Sequence, residues 1–176
     1  MRARVVRWTF AALAGALLPA VCYCAEAAPD YKIVESSDIG LYWVAQPGHR
    51  QPPPRYPATS VREGIESCIE VGFSIGADGI PARMVVLRSA FGSGARQETT
   101  QALRQAAIDS VAAARYEAGA NNPDHLPVYT HSVFTFTLND TRDSDAKRAA
   151  HSEKIKQYCS IPNLKEYLAT QVKQHA

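Results

Sequence analysis

The order of periodicities in this sequence predicts an α+β domain: a three-stranded antiparallel sheet with a short and a long helix, plus a C-terminal helical extension. Three observations carry that prediction. Ile69, Val71, Phe73 and Ile75 alternate with Glu70, Gly72, Ser74 and Gly76, the period of two of a strand with one buried face. Asp78-Gly79 follows as a hairpin turn, because glycine takes positive φ without steric cost. Thr100, Leu103, Ala107, Val111 and Ala114 recur at helical spacing and form one apolar stripe over residues 97–114.

Taken from the beginning, Arg2, Arg4 and Arg7 precede an apolar run over residues 9–21, and Ala25-Glu26-Ala27 supplies a small-x-small site. This is the pattern of a secretory signal peptide over residues 1–27. The run is shorter than the roughly 20 residues a spanning helix needs; left uncut, it would serve as an inner-membrane anchor. A lipidation site at Cys22 is disfavoured by Val21, since such sites want a small residue there. The expected location is periplasmic. Cleavage removes Cys22 and Cys24 and leaves Cys68 and Cys159. In an oxidising compartment that pair is read as a disulfide, the alternative being two separate buried thiols.

Residues 28–50 form an N-terminal segment in which Ile39-Gly40-Leu41-Tyr42-Trp43-Val44 has the aromatic and branched content of an extra strand. The prolines between Gln46 and Pro54 keep the next stretch extended. A domain is expected over residues 51–140. Within it Pro57 suits the first turn of a short helix and Gly64 its end. The second strand, residues 82–89, puts Met84 and Val86 on the face of Phe73, and Val85 and Leu87 on the other. That second face is therefore apolar as well. Arg115-Tyr116-Glu117-Ala118-Gly119 closes the long helix, and residues 127–138 form the third strand, with Phe134, Phe136 and Leu138 on one face.

Residues 141–176 read as a helical extension. A polar helix is expected over residues 143–158, and a last helix is capped by Asn163 with Glu166 three residues on. Leu164, Leu168 and Val172 stripe that last helix. A Cys68–Cys159 bridge would draw both helices across Val85, Leu87 and Val133.

The residues argue against catalysis. Five histidines show no metal-ligand spacing, the mature cysteines form no C-x-x-C, and no G-x-S-x-G elbow is present. Gly92-Ser93-Gly94-Ala95-Arg96 lacks the lysine of a phosphate-binding loop. Neither a metal nor a cofactor is expected. A net charge of +2 without a basic run gives no field for nucleic acid.

Several motifs carry a resemblance. Gln51-Pro52-Pro53-Pro54-Arg55-Tyr56-Pro57, then Arg62-Glu63-Gly64, then Ile69-x-Val71-x-Phe73-x-Ile75-x-x-Asp78-Gly79 resemble the opening of the TonB C-terminal domain. The stretch ending Ala114-Arg115-Tyr116-Glu117-Ala118 resembles that family's W-R-Y/F-x-P motif, and Val133-Phe134-Thr135-Phe136-Thr137-Leu138 resembles its last strand. Each motif is weak; five in order are specific. The departures are Ala114 and Ala118 in place of the family's tryptophan and proline, two extra prolines before Tyr56, a longer loop before the long helix, and the C-terminal extension. The N-terminal apolar run also lacks the family's motor-coupling histidine, and residues 28–54 reach at most roughly 90 Å when extended.

The resemblance implies a non-enzymatic module associated with TonB-dependent transport across the outer membrane. Its partner would be an outer-membrane receptor segment, or another envelope protein, added beside the last strand. The implied partner-binding residues are Gln51, Arg55, Tyr56, Pro57, Tyr129, His131, Val133, Thr135 and Thr137, with Arg55 and His131 as exposed polar contacts. Tyr56 can equally be a staple for the first helix. The strand edges could also pair two copies into a homodimer. The segment Leu41-Tyr42-Trp43-Val44 could itself occupy the last strand's edge and block it. The alternative function is a structural or assembly role in the cell envelope without transport.

Overall fold

A computed structural model describes residues 31–138 and 142–175; the expected signal peptide, with Cys22 and Cys24, lies outside the described residues. The fold is α+β. Its central strand, β3 (Ser67–Ile75), is buried along its whole length. It pairs antiparallel with β4 (Pro81–Phe91) on one side and with β6 (Val128–Phe136) on the other.

The expected hairpin is present at Asp78-Gly79. The Asp78 side chain accepts the Ile80 N–H, and Gly79 sits at φ +73°. A methyl group at Gly79 would overlap the carbonyl oxygen of Tyr116, whose own N–H donates to the Gly79 carbonyl. Positive φ and close backbone approach both require glycine here.

The long helix α3 (Gln97–Ala112) covers the face formed by Ile69, Val71, Phe73 and Ile75. Leu103, Ala107 and Val111 are buried as the stripe predicts, but Thr99 rather than Thr100 turns inward. Its hydroxyl donates to Glu63, the last residue of the short helix α2 (Ala58–Glu63), which ends on Gly64 in the left-handed conformation.

Four small elements extend the expected architecture. Lys32–Ile33 forms β1, parallel to the start of β6. After a single turn, α1 (Ile39–Tyr42), strand β2 (Trp43–Ala45) pairs antiparallel with β5 (Tyr116–Ala118) in a separate two-stranded sheet. The expectation that Leu41-Tyr42-Trp43-Val44 lies on the edge of the last strand is thus corrected. Trp43 is 1% exposed and packs in the main core, which holds this segment at β5 instead. Arg115 to Gly119 likewise is not merely a helix end, because it continues into β5.

The extension is helical, with α4 (Asp145–Lys156) and α5 (Leu164–His175) joined through a short 3-10 turn. Cys68 and Cys159 are bonded, with Cα atoms 5.9 Å apart. Both helices lie against the second sheet face, where Thr135 meets Ser152 of α4 at 2.7 Å and the Tyr167 hydroxyl of α5 donates to the Leu87 carbonyl. Leu168 is fully buried there. Gly72 leaves room on this face for the Leu87 and Tyr129 side chains to approach each other. Among the described residues no helix is long and apolar enough to cross a membrane.

Candidate functional site

Strand β6 is one of the two outer strands of the antiparallel part of the sheet, β4 being the other, and β1 covers only its beginning. The Lys32 N–H donates to the Pro127 carbonyl, and the Val34 N–H donates to the Tyr129 carbonyl at 2.9 Å. Main-chain groups of alternate residues point to alternate edges of a strand. His131, Val133 and Thr135 therefore share with Tyr129 the side that faces away from β3. No strand flanks those three residues among the described residues. An unpaired row of N–H and C=O groups is a template for a further strand.

Two walls flank this open stretch. On the α3 side runs the proline segment: the Ser132 hydroxyl donates to the Gln51 side-chain oxygen, and the Tyr56 ring meets Phe136 edge-on at 5.3 Å. The Pro52 carbonyl accepts a hydrogen bond from the Ser110 hydroxyl, which ties the segment to α3. On the other side stand α4 and α5.

The residues expected to bind a partner fall into distinct groups. Gln51 and Tyr56 line the first wall, both half-buried. The Tyr56 hydroxyl donates to the Ile65 carbonyl at 2.7 Å, so this side chain also tethers the short helix. Burial, with the Glu66 charge nearby, pushes its phenol pKa up to about 12. Pro57 caps α2. Arg55 is exposed and lies beside a groove between the prolines and α3. Tyr129, already flanked by β1, is buried, and its phenol is pushed up to about 12 by desolvation and by Tyr167. Val133, Thr135 and Thr137 are half-buried.

His131 is not the exposed contact expected. It is 7% exposed, and its Nδ1 lies 2.9 Å from Oε1 of Glu70. The alternation that turns its backbone outward turns its side chain onto the second sheet face, under the extension. Sequence reasoning did not single out Glu70, which is 1% exposed. Its signal was a carboxylate on the strand face that also carries the apolar Val85, Leu87 and Val133. Among the described residues no group of three or more acidic, histidine or cysteine side chains could hold a metal ion.

A small antiparallel sheet, one long helix and a partly open outer strand define a small α+β domain. Residues 52–138 match the family described as the Gram-negative bacterial TonB protein C-terminal, and over that stretch this chain belongs to the TonB C-terminal family. The family is a non-enzymatic energy transducer and binding module, associated with the envelope and with TonB-dependent outer-membrane transport, and it interacts with outer-membrane receptors.

The solution structure of the Pseudomonas aeruginosa TonB C-terminal domain is similar, with 23% identity, 62% of this chain and 97% of that chain covered, and a TM-score of 0.42. A Helicobacter pylori TonB C-terminal domain (residues 179–285) shares 21% identity, with 49% and 71% covered and a TM-score of 0.35. The family assignment rests on the sequence match. No curated protein matches the chain.

Proposed function

We propose that this chain is an exported, periplasmic protein whose domain binds an extended segment of an outer-membrane receptor by strand addition along His131, Val133 and Thr135. One observation supports this above the others. The parallel strand β1 makes its last main-chain bond at Tyr129, so the outward groups of the next three alternate residues are left for a guest. Backbone pairing supplies affinity in such complexes, and pockets for alternate side chains supply specificity. Gln51 and Tyr56 form the wall the guest would meet on the α3 side, with Arg55 and Pro57 further along it. The Thr137 main chain would continue the edge. Tyr129 marks where β1 gives way to the guest.

Proline is tolerated on an edge strand where its missing N–H faces away from the sheet. Val133→Pro removes one outward donor without removing a bond to β3. Titration with a synthetic receptor segment, followed by backbone amide shifts, should perturb His131, Val133 and Thr135 in the wild type. Affinity for Val133→Pro should fall at least about tenfold with the amide spectrum of β3 unchanged, one lost hydrogen bond of about 1.4 kcal/mol being a factor of ten. Shifts confined to β4, or unaltered affinity in a folded variant, would defeat the reading in favour of a structural role in the envelope. Sedimentation of the free protein at rising concentration tests whether the same edge pairs two copies.

A further inference from the structure

The C-terminal extension lies outside the matched stretch and does more than cover the sheet. Between it and the second face is a cavity of about 270 Å³, lined by Glu70, His131 and Val133 from the sheet and by Lys156, Ile161 and Leu164 from the extension. Of these, His131 and Val133 belong to the strand whose edge is open. Glu70 is the only carboxylate on the sheet side of the lining. One of its oxygens faces His131, while Oε2 is buried without a hydrogen-bond partner. A buried carboxylate oxygen left unpaired is costly, and a cation arriving beside it recovers that cost. The lysine in the lining does not supply the cation. Lys156 Nζ is paired with Glu153 at 3.6 Å, and both side chains stand half-exposed at the extension side of the lining.

A strand laid beside β6 sends alternate side chains to each face of the sheet, in step with its neighbour. Those sent to the second face come level with His131 and Val133, the residues that line the cavity. We propose that the extension and Glu70 form a side-chain subsite for the guest strand, selective for a lysine or arginine. The aliphatic stem would lie against Val133, Ile161 and Leu164, with the cationic head directed to the Glu70 carboxylate. Long basic side chains combine these two needs in one group. The inference rests on the strand-addition reading and adds to it a rule of sequence preference.

The test uses the oxidised full-length mature protein and ten-residue peptides of alternating threonine and valine. One position, moved along the peptide, carries lysine, norleucine or glutamate, and affinity is measured by calorimetry. Norleucine keeps the lysine stem and removes only the charge. In one alternating set of positions the lysine peptide should bind at least tenfold more tightly than the norleucine peptide, with glutamate weakest. Glu70→Gln should bring lysine and norleucine within about twofold of each other. Equal binding of lysine and norleucine peptides by the wild type would overturn the subsite and leave strand addition standing. Failure of every peptide to bind would overturn both. The wild-type comparison decides the matter even if Glu70→Gln does not fold.

Discussion

Cys68, in the central strand, is bonded to Cys159, 91 residues away, at the turn between the two helices of the extension. The bond fastens a segment of mostly polar helix to the middle of the sheet. Its neighbours agree in direction: the Arg88 guanidinium of β4 donates to the Ser160 carbonyl, and His151 Nε2 lies 2.8 Å from Glu66.

A loop of that length gives about 4–5 kcal/mol of stabilisation on the chain-entropy account. Cys159→Ser should lower the unfolding free energy by an amount of that order. Helices α4 and α5 should lose amide protection first, while β3 and α3 retain theirs, because the main core between β3 and α3 includes no residue of the extension. Hydrogen exchange followed residue by residue checks this. Simultaneous loss of protection in β3 and α4 would show that the extension is integral to the domain's cooperativity.

Gly79 is the tightest point of the hairpin. Gly79→Ala should destabilise by about 2–3 kcal/mol, from left-handed strain together with overlap on the Tyr116 carbonyl. Gly94 also has positive φ but has open space around it, so Gly94→Ala should cost less, about 1 kcal/mol. Urea denaturation of the two variants side by side separates strain from strain plus collision.

Trp43 anchors β2 in the core, and its indole Nε1 is buried without a hydrogen-bond partner. Trp43→Ala should cost about 3–5 kcal/mol, in the range of large-to-small core changes. Trp43→Phe keeps most of the ring contact and removes the unpaired donor, so its cost should be under half of that. Thermal unfolding of both variants measures the difference.

Tyr56 has its pKa raised from 10.0 to about 12 in the folded chain. Below pH 10 the phenol is protonated whether the chain is folded or not, and its stabilising effect is fully present. As pH rises from 10 towards 12 the unfolded chain releases the proton first, so stability falls through that window. Tyr56→Phe keeps the ring on Phe136, loses the bond to Ile65, and should cost about 1 kcal/mol at neutral pH. Its alkaline loss should be shallower than that of the wild type, though not absent, since Tyr129 is also raised to about 12. Denaturation midpoints at neutral pH and across pH 10–12 check both effects.

The alternation around Ile69 to Ile75, the Asp78-Gly79 turn and the stripe of Leu103, Ala107 and Val111 were legible in the sequence because strand, turn and helix periods are local properties. So was the covering of the second face, since Val85 and Leu87 need burial and Cys159 supplies a fastening. Long-range pairing was not legible. Nothing within three residues of Trp43 says that it pairs with Ala118 rather than with the last strand, and the two-residue strand at Lys32 is too short to show a period. The same limit hid the cavity. His131 read as an exposed polar residue until the sheet placed it across from Gly72 and beside Glu70. Sequence by itself determined which elements exist and which faces must be buried, because those follow from side-chain spacing along the chain. Only the tertiary structure decided how much of the β6 edge stays open and where a buried carboxylate oxygen is left without a hydrogen bond, because both depend on contacts between segments far apart in the chain.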